Sequence, residues 1–329
     1  MRLATLQSES RDGRLCVVSA DGARALPVPE VAPNLQAALD AWAQCEPLLR
    51  QAQERLNEDG ALGEPLDVRR LAAPLPRGYA FLDGSAYLNH VELVRKARGA
   101  EMPPSFLDDP LMYQAASDGF MAPTEPIRAS AQEHGIDLEA EIGAIVDDVP
   151  QGTPEEQAGA HIRLLVLIND VSLRALVPAE LGKGFGFLQS KPRSALSPFA
   201  VTPDELGDAW RDYVMHLPMR TWLNGDRLGD PDCGTDVQFS LARLIAHGAR
   251  TRPLAAGTLV GSGTISNRDR SRGVACLAEI RMIETIEKGQ PETPFLRFGD
   301  RVAIEVTDAA GRSVFGRIEQ TVQPVGDGA

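Results

Sequence analysis

Residues 135–148 read GIDLEAEIGAIVDD and residues 162–170 read IRLLVLIND. In the first stretch apolar and acidic residues alternate. As a strand it sends Ile136, Leu138, Ala140 and Ile142 to one face and Asp137, Glu139 and Glu141 to the other. Carboxylates lined up on one face repel each other, a cost that a divalent cation bound among them removes; a solvated acidic face is the plainer alternative. The second stretch is apolar up to Asn169 and Asp170, the pattern of a strand buried on both faces. An acid at its end then opens onto a crevice rather than bulk water, unless Asn-Asp simply forms a turn. Both stretches thus read as strands that carry acidic groups, the second of them buried.

Working outward, MRTWLNGDRLG (219–229), GTLVGSGTIS (257–266), VACLAEIRMIETI (274–286) and DRVAIEVTDAAGRSVFGRI (300–318) read as strands or hairpins, with NGD and DAAG as turns. Helices are expected at 152–161, 203–213 and 238–249. Strands dominate without regular βαβ alternation, so the predicted class is mainly β with some helices, α+β rather than doubly wound. Ahead of this, RLATL, RLCVVSADG and ARALPV read as short strands. In residues 34–56, Leu35, Leu39, Trp42, Leu49, Ala52 and Leu56 recur at helical spacing. The Gly- and Pro-rich stretch 57–78 reads as a linker. The expected division is a small N-terminal α/β domain, 1–75, and a larger domain, 76–329.

Composition narrows the function classes. A formal net charge of −13 over 329 residues argues against nucleic acid as a partner. No apolar run approaches the roughly 18–20 residues that span a bilayer, so no membrane role is expected. The start, MRLATLQSESRDGR, lacks the apolar core and cleavage site of a secretory signal, which reads as cytoplasmic. Cys16, Cys45, Cys233 and Cys276 lack the close spacing of zinc sites and read as packed thiols.

The residues that carry chemistry are dispersed. FLDGSAYLNH (81–90) holds Asp83 and one of the five histidines, His90; Arg174 follows Asp170, and Lys183 lies in the glycine-rich GKGFG (182–186). That loop lacks the spacer and the Ser/Thr of a phosphate-binding loop.

In this order and spacing the set resembles the fumarylacetoacetate hydrolase family, over about residues 76–325. The resemblance implies a mixed β-roll catalytic domain of that family's type and one Mg²⁺ or Ca²⁺ per chain held by Asp83, Glu139, Glu141 and Asp170. His90, seven residues after Asp83, matches the catalytic histidine. Arg174 matches the family arginine, GKGFG gives Lys183, GSGTISN gives Thr264, and LMYQ gives Tyr113 as a substrate contact. It also implies a homodimer. The chain departs from the pattern in two places. No glutamine follows Arg174 in ALVPAEL, leaving Gln114 and Gln189 as replacements. The glutamate that pairs with the histidine is either Glu279, at strand parity with the family position, or Glu92.

The implied chemistry is hydrolysis of a C–C bond in a 1,3-diketo acid, with fumarylacetoacetate the leading substrate. A hard cation on carboxylates can chelate both diketone oxygens and hold the charge of the departing enolate. A histidine can take the proton of the attacking water, and Arg174 and Lys183 can stabilise the oxyanion. Relatives that hydrolyse acylpyruvates, decarboxylate oxaloacetate, or hydrate or isomerise 2-keto acids are the rival reading. A binding protein with a structural ion is a third. The charged, then Pro-rich stretch 91–109 reads as a lid or an ordinary surface loop.

Overall fold

The computed structural model describes residues 1–97, 99 and 101–326. The lid expectation at 91–109 therefore falls partly on Arg98 and Ala100, which lie outside the described residues. The fold is α+β, as the sequence predicts.

Its frame is an 11-stranded sheet. From one edge the strands run Glu64–Pro65, Arg24–Pro27, Arg14–Val18, Arg2–Leu6, Ala200–Val201, Ile162–Asn169, Ala140–Val146, Leu259–Gly261, Phe81–Gly84 and Met112–Ala115, with Ala195–Leu196 also on Ile162–Asn169. The centre is the pair read first in the sequence: Ile168 lies opposite Glu141 and Leu165 opposite Ala144 in antiparallel register. Both strands are buried almost throughout, which is why they are largely apolar, with Glu141 and Arg163 the charged exceptions. The strands of residues 1–75 extend the edge of this sheet, through Leu3 opposite Ala200. Leu35, Leu39, Trp42, Leu49, Ala52 and Leu56 all face inward, on helices Leu35–Asp40 and Trp42–Glu58 that break at Ala41.

A second sheet of five strands orders Asp226–Gly229, Met219–Leu223, Arg301–Val306, Ile318–Pro324 and Ile127–Ala129. Its first hairpin turns at Asn224 and Gly225, both at positive φ, the two-residue turn whose twist suits antiparallel strands.

Three sequence readings are corrected. GIDLEAEIGAIVDD is not one strand: Ile136–Asp137 pairs with Ser172–Leu173, and the chain joins the large sheet only at Ala140. VACLAEIRMIETI is not a strand but enters the helix Leu277–Lys288. The sequence satisfies both periods, and the helical one wins: Leu277 and Ala278 donate their N–H groups to the Asp137 carboxylate, and Gly289, at φ 83°, ends the last turn. The helix expected over 203–213 is a 3₁₀ segment, Pro203–Ala209, followed by a strand. Among the described residues, no helix is long and apolar enough to cross a membrane.

Candidate active site

Asp83 ends the strand Phe81–Gly84, Glu141 sits in Ala140–Val146 next but one in the sheet, and Asp170 follows Ile162–Asn169. One ligand atom from each of these three carboxylates lies within 4.8 Å of the other two. All three are buried, and both oxygens of Glu141 lack any hydrogen-bond partner. Burial, with the neighbouring Asp170 charge adding to it, pushes Asp83 up to about 7. Burial first, then Asp83 and Asp170, raises Glu141 well above the usual carboxylate range. An orphaned buried carboxylate facing two others is what a hard divalent cation resolves, so the donor set fits such an ion. Gly261 leaves the room: a β-carbon there would collide with an Asp83 oxygen and press on Glu141.

Glu139 does not belong to this group of three. Its oxygens take Arg174 Nη2 at 2.7 Å, the Ser172 hydroxyl at 3.1 Å, and the ammonium of Lys191. Burial would raise it, but Arg174 and Lys191 outweigh that and hold it well below its ordinary range. Of the four carboxylates read from the sequence as ligands, three lie together, and the fourth, Glu139, contacts Arg174 and Lys191.

The lysine among these acids is Lys191, not Lys183. Lys191 is buried and donates to Glu139 and, at 2.5 Å, to Asp170 Oδ2. Lys183 is exposed at the end of the helix Val177–Lys183. The glycines around it mislead because Gly184, at φ 75°, serves as the helix C-cap rather than as a ligand loop. No local sequence pattern marks Lys191, which Pro192, Arg193 and Ser194 separate from the strands near 195–201. It is set by Glu180, whose buried carboxylate accepts from the backbone N–H groups of Leu188, Gln189 and Ser190 and from the Ser190 hydroxyl. Those hydrogen bonds hold Glu180 down at about 2, the Ser190 hydroxyl contributing most.

Tyr113 stands opposite Asp83 in the sheet, and its hydroxyl donates to Asp170 Oδ2 at 2.5 Å. Ser194 donates to the other Asp170 oxygen at 2.6 Å. Thr264 is buried and follows Gly263, whose N–H reaches Asp83 Oδ1 at 3.2 Å. Gln114 and Gln189 are both exposed.

His90 lies on the helix Leu88–Ala97, which packs on Leu277–Lys288. Its Nδ1 is 2.9 Å from Glu279 Oε1. Of the two candidate glutamates, Glu279 is buried against the histidine, whereas Glu92 forms an exposed pair with Arg268. Glu279 is placed by the helix, not by strand parity. Arg174 bridges the two halves of the site, with Nε on Asp137 at 2.9 Å and Nη2 on Glu139. The assembly holds three close carboxylates, an imidazole backed by a carboxylate, and two buried cations.

A family profile described as fumarylacetoacetate (FAA) hydrolase C-terminal matches residues 80–323, and one described as fumarylacetoacetase N-terminal domain 2 matches residues 1–77. A 2,4-didehydro-3-deoxy-L-rhamnonate hydrolase of Sphingomonas sp. (strain SKA58) is 31% identical over 159 residues, 47% of this chain and 53% of that relative. The fumarylacetoacetase of Bos taurus is 25% identical over 312 residues, 80% of this chain and 74% of that one. Among solved structures, a fumarylacetoacetate hydrolase of Exiguobacterium antarcticum matches with a TM-score of 0.69 at 18% identity. The maleylpyruvate hydrolase of Sphingobium sp. SYK-6, in complex with manganese(II) and pyruvate, matches with 0.65 at 15%. Each covers 99% of this chain and 100% of the other. At these identities the structural likeness establishes the fold.

Proposed function

We propose that this chain, which belongs to the fumarylacetoacetate hydrolase family, hydrolyses a C–C bond in a 1,3-diketo acid, with fumarylacetoacetate, yielding fumarate and acetoacetate, as the leading substrate. The observation that carries the reading is the His90–Glu279 pair, with His90 close enough for its charge to act on the buried Glu139. Hydrolysis needs a base for water. Decarboxylation, which leaves the enolate behind by loss of CO₂, needs no attacking water.

In this reading the Glu279 carboxylate holds the proton on His90 Nδ1, which leaves Nε2 free to accept a proton from water. That water adds to the acyl carbonyl, and the bond from that carbon to the central carbon breaks. The central carbon leaves as an enolate and is then protonated. A divalent cation, Mg²⁺ or Ca²⁺, held by Asp83, Glu141 and Asp170 would supply Lewis-acid stabilisation of the enolate charge. Arg174 and Lys191 present positive charge to the oxyanion of the adduct, and Tyr113 offers a hydroxyl to a substrate oxygen.

The second reading keeps the fold and changes the substrate or reaction: acylpyruvate hydrolysis, oxaloacetate decarboxylation, or hydration or isomerisation of a 2-keto acid. It is supported by the names of relatives, which include hydrolases of other keto acids and isomerases. Initial rates on fumarylacetoacetate, acylpyruvates and oxaloacetate, with Mg²⁺ and with Ca²⁺, separate the two. Loss of absorbance from the fumaryl diketone with stoichiometric fumarate supports the leading reading, and turnover of oxaloacetate alone contradicts it. We also propose a homodimer, consistent with Phe185 and Leu188, which are 99% and 82% exposed on one loop. The solution mass tests this.

A further inference from the structure

A groove of about 350 Å³ runs past Arg174, the cation that holds Glu139. It lies between the helices Leu88–Ala97, Val177–Lys183 and Leu277–Lys288 and the segment 291–295. Resting on the functional reading above, we propose that this groove receives the acyl arm of the substrate, and that Arg281 grips a carboxylate at the end of that arm.

The groove leads to the reacting atoms through two residues. Arg174 lines it while its guanidinium holds Asp137 and Glu139. Phe187 also lines it, and its ring meets Tyr113 edge-on, 5.0 Å between centroids, with the Tyr113 hydroxyl on Asp170. Val94, one helical turn beyond His90, carries the same face of that helix into the groove. An acyl group whose carbonyl sits beside His90 therefore has this space for the rest of its chain.

The walls are largely apolar, from Val94, Val177, Leu181, Phe187, Met282 and Phe295, with two cations among them. The cations differ in one respect. Arg174 is neutralised by two buried carboxylates. Arg281 has no salt bridge among the described residues: its face lies on the Phe295 ring at 4.1 Å, and it donates to the carbonyl of Thr293. The nearby Glu284 carboxylate is taken up by Thr293 and the backbone of Glu292. A half-buried guanidinium between apolar walls, its plane fixed by stacking and its charge unmatched, favours a carboxylate from outside. An arm ending in methyl or phenyl would fill the groove and leave that charge unanswered.

The test compares two 3,5-diketo acids that differ only in the acyl arm, fumarylacetoacetate with a terminal carboxylate and 3,5-dioxohexanoate with a methyl. The enzyme is loaded with Mg²⁺. In Arg281→Met the ratio of kcat/KM for fumarylacetoacetate to that for 3,5-dioxohexanoate should fall about 10- to 100-fold, the range for a charge-assisted hydrogen bond, mainly through KM. Arg281→Lys, which keeps the charge, should recover part of that ratio, and Arg281→Gln reads the same ratio should the Met variant fold poorly. Cleavage of both acids with an unchanged ratio overturns this inference alone. Cleavage of neither overturns the functional reading, and the inference with it.

Discussion

His90 Nδ1 and Glu279 Oε1 meet at 2.9 Å across 189 residues of chain, each on a helix packed against the other. A carboxylate in that position fixes which imidazole nitrogen is free and stabilises the imidazolium that forms. Glu279→Gln should therefore lower kcat by about 10²- to 10⁴-fold, within the usual contribution of general acid–base catalysis, with little change in melting temperature. Glu92→Gln, which removes an exposed pair with Arg268, should stay within about threefold of the wild type. Steady-state kinetics on both variants check the assignment, and a larger loss in Glu92→Gln would reverse it.

Lys191 is the buried counter-charge of Glu139 and Asp170. Lys191→Met leaves two acids in a dry site without it, and breaking a buried pair on one side costs about 3–5 kcal/mol. Lys183→Met, at an exposed helix end, should change stability by no more than about 0.5 kcal/mol. Urea unfolding of the metal-free proteins distinguishes them. Equal midpoints would show that Lys191 is not the residue that balances the cluster.

The raised acids give metal-free protein a definite pH response. Asp83 has an ordinary value of 3.8 and is pushed to about 7 in the fold, so between those limits the folded chain holds a proton that the unfolded chain has lost. Its contribution to stability is complete below the lower limit and declines as pH rises through the upper one, and Glu141 acts with the same sign. Glu139, held low, acts oppositely and loses its contribution only as pH falls below the ordinary carboxylate range. A divalent cation takes the deprotonated carboxylates. Added Mg²⁺ should thus raise the melting temperature more at pH 7.5 than at pH 5.5. A shift that is equal at both values, or larger in acid, would contradict the cluster's role.

Gly261 tests the space among the acids. Its missing side chain is what lets Asp83 and Glu141 approach. Gly261→Ala should weaken Mg²⁺ binding by about tenfold or more, since overpacking of about 1–3 kcal/mol falls directly on two ligands. Isothermal titration at pH 7.5 measures it, and unaltered affinity would place the ion elsewhere.

The buried strand at the sheet's centre was legible because burial on both faces leaves residues 164–168 wholly apolar. The acids were legible as types in an order, and the fold gathers Asp83, Glu141 and Asp170 on or beside strands of one sheet. Two other features depended on contacts that no local pattern encodes. Residues 277–288 fit either period, and the Asp137 carboxylate, which accepts the N–H groups of Leu277 and Ala278, supports the helix. Lys191 acquires its place from Glu180, through bonds to three successive backbone groups. Glycines near Lys183 signalled a left-handed cap, which looks in sequence like a ligand loop.

The most direct test of the central claim is the metal content of wild type and Glu141→Gln after dialysis against Mg²⁺ or Mn²⁺ at pH 7.5. Wild type should hold one divalent ion per chain, and the variant almost none while keeping the same circular dichroism spectrum. A variant that retains a full equivalent, or a wild type that binds none, would contradict a cation held among Asp83, Glu141 and Asp170.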